Sequence, residues 1–315
     1  MRPAERIIGR LEMVEEKGRI FNIQKFSITD GIGIRTLIFM KGCPLRCIWC
    51  SNPESQNPYT EIMDVRKNCI SCGMCVSVCE ENAIEDKTFN IIRDRCTACG
   101  KCAEVCYANA KKVTGKEYSV YDVIKIIDRD RVFYKNSGGG VTIGGGEPLM
   151  QPEFAAEILK CCRMTNIHTA IETSGFAPLD KACLVFEQTD QIFFDLKVMD
   201  DARHKELTGV SNSIILRNAE EASAFSGKEI IFRIPVIPGL NDDRNNLRDT
   251  GLFIREISQR SDSSISVELL PYHGYGSDKY KWMNRSYSLE GMASPSAESM
   301  EIYKNILIDT GVNVV

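Results

Sequence analysis

Three features are missing from this 315-residue chain, and each absence excludes something. There is no basic surplus: 39 Lys and Arg stand against 43 Asp and Glu, giving a net charge of −4. A nucleic-acid partner usually brings a basic patch, so that class is set aside. There is no apolar run approaching the length of a membrane span. The first stretch, Met1 to Gly18, is amphipathic and carries Glu5, Glu12, Glu15 and Glu16 where an export signal would have an apolar core. The expectation is a cytoplasmic protein with neither nucleic-acid nor membrane partners. With 43% hydrophobic and 26% charged residues, the composition is that of an ordinary soluble chain, long enough for one medium domain and a small one.

Cysteine is abundant. There are 14, and 11 of them fall between Cys43 and Cys106. A disulfide framework belongs to small secreted domains, so in a reducing compartment this cluster reads as metal ligation. Eight of the cysteines form an internal repeat with an offset of 27 residues: Cys69, Cys72, Cys75 and Cys79, then Cys96, Cys99, Cys102 and Cys106. Each half is C-x2-C-x2-C-x3-C, the run of bacterial two-cluster ferredoxins, in which the fourth cysteine serves the other cluster. The expected sets are Cys69, Cys72, Cys75 and Cys106 on one 4Fe–4S cluster, and Cys96, Cys99, Cys102 and Cys79 on the second. A pair of structural zinc sites is the alternative, but zinc usually separates two C-x2-C hooks by a longer stretch. The proline that usually follows the fourth cysteine is absent, with Glu80 and Tyr107 in its place. Cys161, Cys162 and Cys183 lie in helix-like stretches and read as small buried hydrophobes.

Outside the repeat, apolar runs alternate with helix-like segments. The runs are Thr36–Met40, Val141–Ile143, His168–Glu172, Gln191–Leu196, Glu229–Val236 and Ile265–Leu270. Helices are expected near 119–130, 153–164, 180–187, 216–225 and 244–259. This alternation predicts an α/β fold with buried parallel strands and right-handed crossovers. Pattern alone does not separate a doubly wound sheet from a barrel. Unusual residues follow or end each run, however, and barrels place their chemistry there. The fold expected is a partial (β/α)6 TIM-like barrel. Residues 1–66 would form its first part, 67–112 an inserted ferredoxin-like two-cluster domain, and 113–315 the remainder.

The remaining cysteines, Cys43, Cys47 and Cys50, form C-x3-C-x2-C with no fourth in the loop. Three thiolates on a cubane leave one iron open for a chelating amino acid, as a catalytic metal keeps a substrate position free. A three-thiolate zinc site completed by His273 is the alternative.

This motif, with Trp49 before its third cysteine, resembles that of radical S-adenosylmethionine (SAM) enzymes, and more specifically of the glycyl-radical enzyme activating enzymes. The likeness extends through Asp30–Thr36, Gly42–Glu54, Gly145-Gly146-Glu147-Pro148-Leu149, Asp195-Leu196-Lys197, Leu207–Asn212 and Leu269–His273. The ferredoxin-like segment resembles that of the larger activases. Two residues depart from the family pattern: Ile32 stands where proline is usual, and Glu172 where aspartate is.

The resemblance implies reductive SAM cleavage to a 5′-deoxyadenosyl radical, which abstracts a hydrogen from a glycine of a partner glycyl-radical enzyme. It implies three 4Fe–4S clusters and an external electron donor such as flavodoxin or ferredoxin. Cys43, Cys47 and Cys50 would hold the catalytic cluster. Gly145, Gly146 and Glu147 would meet the methionine end of SAM, glycine letting backbone approach closely. Gly138-Gly139-Gly140, in contrast, reads as turn punctuation. Lys197 and Arg233 are cations on apolar strands that need an anionic partner, and SAM could supply it. Asn52, Thr173 and His273 complete the implied SAM contacts, while Trp49 stands open between adenine contact and core packing. Glu172, the Thr173 carbonyl and Asp195 look like a monovalent-cation site. Asp30 resembles the residue that meets the partner's glycine-bearing loop, although a simple turn before Gly31 would also account for it. His168 and His204 read as structural. A radical SAM enzyme acting on a small molecule, an electron-transfer ferredoxin fused to a structural domain, and a zinc-binding module are the competing readings.

Overall fold

The computed structural model describes residues 16–315, so most of the amphipathic N-terminal stretch lies outside the described residues. The strands, in chain order, are β1 (Lys17–Ser27), β2 (Arg35–Met40), β3 (Glu61–Asp64), β4 (Lys111–Thr114), β5 (Lys116–Ser119), β6 (Gly140–Gly145), β7 (His168–Thr173), β8 (Gln191–Asp195), β9 (Glu229–Val236) and β10 (Ser264–Pro271). All six expected runs are strands, differing only at their ends. Their near-continuous Ile, Val, Leu and Phe content suits strands covered on both faces. Ile38, Val141, Ile143, Ile171, Ile192, Phe194, Ile230, Phe232 and Val267 are all buried in one core.

One sheet has the order β10-β9-β8-β7-β6-β2-β1-β5, and β2, β6, β7, β8, β9 and β10 run parallel. Those six are spatial neighbours in the order of the chain. A doubly wound sheet would reverse its order at a switch point; this one does not. Residues of β2 and of β10, at opposite ends of the parallel run, line one cavity, so the sheet curls. Among the described residues it does not close, and β10 meets the C-terminal tail through the bridge Val267–Val314. The five expected helices are present at Val120–Asp128, Pro152–Met164, Leu179–Phe186, Ser213–Ala224 and Arg244–Ser258. Ser119 and Asp122 form a capping box at the first, and Asp243 caps the last. Cys161 and Cys162 are buried in this helical layer, as expected of packing residues.

The cysteine repeat lies between β3 and β4, which pair antiparallel as a separate two-stranded sheet. Its two halves share one backbone course. Left-handed residues recur at the 27-residue offset: Ser71 and Ala98, Gly73 and Gly100, Asn82 and Asn109. The one-turn helices Met74–Ser77 and Lys101–Glu104 match in the same way.

The first glycine triplet is more than turn punctuation. Gly138, at φ +71 with open space around it, ends the helix Arg131–Ser137. At Gly139 an added Cβ would lie 1.9 Å from the Ile34 carbonyl oxygen, and at Gly140 it would lie 1.9 Å from that of His168. These two glycines let β6 seat against its neighbours. Gly139→Ala should therefore cost about 3 kcal/mol of stability through backbone displacement. Gly138→Ala should cost only about 1 kcal/mol, from its left-handed conformation. Thermal unfolding of the anaerobic protein measures both, and equal losses would contradict the close approach.

Candidate active site

The C-terminal ends of the parallel strands open into a cavity of about 680 Å3. The loop after β2 brings Cys43, Cys47 and Cys50 to its wall. Backbone hydrogen bonds hold this loop at both flanks. Gly42 N donates to the Ser55 carbonyl at 2.7 Å and Cys43 N to that of Gln56 at 3.2 Å. Arg46 N donates to Thr208 O at 2.7 Å and Ile48 N to Leu207 O at 3.1 Å. Leu207 and Thr208 end the helix Asp201–Thr208, where carbonyls lack helical partners. That explains the Leu207–Asn212 stretch: it anchors the cysteine loop, and Asn212 donates to the carbonyls of Val198 and Met199 beyond β8. His204 is buried in this anchor, its Nδ1 2.7 Å from Val210 O.

Burial pushes all three thiols up, Cys47 to about 12 with Lys197 opposing the rise. As free thiols they would stay protonated. A metal that ionises its thiols outright suits this donor set.

Two charged groupings face the cysteines. Lys197 Nζ lies 2.8 Å from Asp195 Oδ2. Burial works against its charge, but Asp195 and the thiols of Cys47 and Cys43 outweigh burial and raise its affinity for a proton. Arg233 donates from Nε to Glu268 and from Nη1 to Glu172, each at 2.7 Å, with its guanidinium 3.7 Å above the Phe193 ring. Glu268 was missed from sequence, although a lone carboxylate in the apolar run of β10 carries the same signal as Arg233 in β9. Burial pushes the Glu172 carboxyl up to about 7, Arg233 opposing and Asp30 and Asp195 adding. The expectation that Glu172 and Asp195 form one cation site meets a different arrangement, in which each carboxylate is paired to its own side-chain cation. The expectation that Arg233 awaits an anion from SAM is likewise altered, because Glu172 and Glu268 already supply two.

Glu147 does not line the cavity. Its fully buried carboxylate accepts from Thr173 Oγ1 at 2.6 Å, Ser174 N at 2.8 Å, Leu149 N at 3.1 Å and Ser174 Oγ. It ties the end of β6 to the end of β7 behind the wall formed by Gly145, Gly146, Thr173 and Ser174. The second glycine pair also has a nearer cause than ligand approach. A Cβ on Gly145, at φ +107, would lie 2.7 Å from Met40 N, and one on Gly146 would lie 2.4 Å from Gly42 O.

Trp49 both packs and faces the cavity: it belongs to a buried cluster with Val198, Leu207, Ile237, Tyr272 and Tyr280 and also lines the opening. Asn52 also lines the cavity, its Oδ1 accepting from Lys279 at 2.7 Å. His273 sits exposed at the rim, stacked on Tyr275 at 4.4 Å. Asp30 lines the cavity as well. Beneath it lies Arg35, fully buried, donating to Thr142 Oγ1 and Val141 O at 2.7 Å. Thr142 Oγ1 donates in turn to the Asp30 carbonyl at 2.8 Å. Burial lowers Arg35 to about 10, still charged at neutral pH, and His168 lies within 3.2 Å of its Nη1.

The repeat gathers its cysteines in two sets. Cys69, Cys72, Cys75 and Cys106 ring one small cavity; Cys79, Cys96, Cys99 and Cys102 ring another. Ala83 N lies 3.2 Å from Cys79 Sγ and Ala110 N 3.2 Å from Cys106 Sγ. Among the described residues, no three His, Cys, Asp or Glu side chains converge as they would around a single metal ion. Between the repeat and the three-cysteine loop lies the short helix Ser277–Trp282. Lys279 reaches Glu54 at 2.7 Å, Gly276 abuts the backbone of Cys50 and Ser51, and the Trp282 carbonyl accepts from Arg93 at 3.0 Å.

Comparison with known proteins assigns this architecture first to a class. The radical SAM superfamily profile matches residues 95–250, and that of a 4Fe-4S binding domain residues 65–85. The peptide-bound structure of SuiB from Streptococcus suis, at 15% identity, superimposes with a TM-score of 0.51 over 98% of this chain and 51% of that one, a likeness of fold. The relatives are more specific. The isethionate sulfite-lyase activating enzyme of Nitratidesulfovibrio vulgaris is 40% identical over 93% of this chain and 96% of its own. The choline trimethylamine-lyase activating enzyme of Oleidesulfovibrio alaskensis is 39% identical over 92% and 94%. The chain belongs to the glycyl-radical enzyme activating enzymes of the radical SAM superfamily. It is an enzyme that cleaves SAM reductively to generate a radical on a partner. Among the described residues no helix is long and apolar enough to cross a membrane.

If Glu147 is the tie behind the cavity wall, Glu147→Ala should cost about 3 kcal/mol by stranding buried donors. It should also weaken SAM binding without touching SAM. Thermal unfolding and calorimetric titration with SAM check the two effects, and full stability in the variant would contradict the role.

Proposed function

We propose that Cys43, Cys47 and Cys50 hold a 4Fe–4S cluster with one open iron, and that SAM lies between that iron and the strand ends of β6 to β10. When bound, cluster and SAM supply the electron and the 5′-deoxyadenosyl radical; binding, orientation and exclusion of water fall to the chain. One observation carries this reading: three half-buried cysteines from one loop face a cavity in which carboxylates outnumber side-chain cations. Asp30, Glu172, Asp195 and Glu268 stand against Lys197 and Arg233. That excess of negative charge favours a ligand carrying a sulfonium and an ammonium. The backbone of Gly145, Gly146 and Thr173 would meet its amino-acid end. Trp49 and Asn52 would border the nucleoside, His273 would close the rim, and Lys197 would offset the charge of the thiolates.

Within this reading the eight repeat cysteines hold two further 4Fe–4S clusters, in the crossed sets that ring the two small cavities. Residues 67–112 are their domain, inserted between residues 1–66 and 113–315 of the radical SAM domain. An external donor such as flavodoxin or ferredoxin delivers the electron. A monovalent cation would sit by Glu172, Asp195 and the Thr173 carbonyl, joining the ion pairs. Asp30, which also lines the cavity, would meet the glycine-bearing loop of the partner.

The reconstituted chain should carry roughly 12 irons and, once reduced, release 5′-deoxyadenosine from SAM. Cys43→Ala should abolish that product and leave roughly 8 irons. Product formation by Cys43→Ala would overturn the assignment of the open iron. Asp30→Asn should keep SAM cleavage in the absence of a partner but lose at least about 90% of the glycyl-radical EPR signal formed on it, a loss of about 1.4 kcal/mol or more in effective coupling. An undiminished radical would remove Asp30 from partner contact.

A further inference from the structure

The two halves of the cysteine repeat differ at one buried position. Lys111 opens β4, is 2% exposed, and lies 2.7 Å from Asp64, its cross-strand partner on β3. Its ammonium also donates to the Phe89 carbonyl. It lines the cavity ringed by Cys69, Cys72, Cys75 and Cys106. The residue 27 positions earlier is Ile84, which lines the other cavity. The flanking alanines match at the same offset: Ala110 lines the first cavity and Ala83 the second. One half therefore places an ammonium where the other places a hydrocarbon. Asp64 lines neither cavity.

Stability does not account for this choice. A buried ion pair surrenders hydration that its mutual attraction only partly restores, and apolar residues of similar volume commonly serve as well or better. Ile84 shows that the repeat tolerates one here. The charge stands on the wall of the first cavity and not of the second. A cubane gains negative charge on reduction, and net charge nearby is one of the quantities that set its potential. A fixed cation on the cavity wall stabilises the reduced form, and low surrounding polarity strengthens the effect.

We propose that Lys111 is a redox-tuning residue, holding the cluster of the Cys69, Cys72, Cys75 and Cys106 set at a higher reduction potential than its neighbour and so making it the resting place of an electron shared between them. The inference rests on the two-cluster reading above. Asp64 orients the ammonium and moderates its field.

The test uses the full chain with Cys43, Cys47 and Cys50 all replaced by Ala, so that the inserted clusters are read alone by EPR during an anaerobic redox titration. Cys72→Ser, which alters only the first set, assigns the signals. Lys111→Met should lower the potential of that cluster, changing its ratio of reduced to oxidised protein at fixed poise roughly tenfold, about 59 mV for one electron, and move the other cluster less. Asp64→Asn, keeping the ammonium and removing its counter-charge, should move the same cluster the opposite way. A general loosening of the β3–β4 pair would move both variants in one direction. If Lys111→Met does not load iron, Asp64→Asn alone decides by the sign of its shift. Shifts of one sign, or none, with roughly 8 irons bound overturn the tuning role and leave the clusters in place. Failure of the parent to bind iron at the repeat overturns both.

Discussion

The backbone contact between β2 and β6 is the constraint on which the rest of this molecule depends. These strands pair in parallel register from Arg35–Gly140 to Met40–Gly145, although residues 41–139 lie between them in the chain. Three glycines make the approach possible, because side chains at Gly139, Gly145 or Gly146 would strike the backbone of β2 or its flanks, while Gly140 does the same for β7. The cysteine loop follows β2, and the Glu147 tie follows β6. Bringing the two strands together therefore assembles the thiol wall and the backbone wall of the cavity in one step. The intervening repeat is looped out on its own strand pair and leaves the register undisturbed.

The six parallel strands were legible because each is buried on both faces, which demands an unbroken apolar run. Strand β1 was not: Lys17–Ser27 mixes Arg19, Asn22, Gln24 and Lys25 with Ile20, Phe21 and Ile23, since much of it is exposed. The cysteines were legible because ligand spacing along a single loop is a local property. Their crossed grouping follows the ferredoxin pattern, and the same grouping rings the two small cavities. What the sequence left hidden was pairing. That Arg233 bridges Glu172 and Glu268, or that Glu147 turns away from the cavity to collect four donors, depends on distances between strands that no local pattern encodes. Glycine was ambiguous for a related reason. It marks close approach without saying what approaches, and at Gly145 and Gly146 the nearest object is the protein's own backbone.

Electrostatics divides the molecule into two regimes. In the large cavity, carboxylates exceed side-chain cations, and each cation is held by a partner that fixes its direction. Around the repeat the balance is local and uneven, with Lys111 and Asp64 enclosed on one side and Ile84 on the other. Buried charges of this kind are costly, so where they persist they mark positions at which the surrounding potential matters more than packing.

The helix Ser277–Trp282 has a mechanical consequence. With Gly276 just before it, it touches the three-cysteine loop through Lys279 and the repeat through Trp282, by backbone contact, ion pair and hydrogen bond. It acts as a strut. With clusters in the repeat, as proposed, electron transfer to the three-cysteine site would depend on their separation, and a long insertion free to swing would make it intermittent. A strut pinned at both ends turns that variable gap into a constant of the fold.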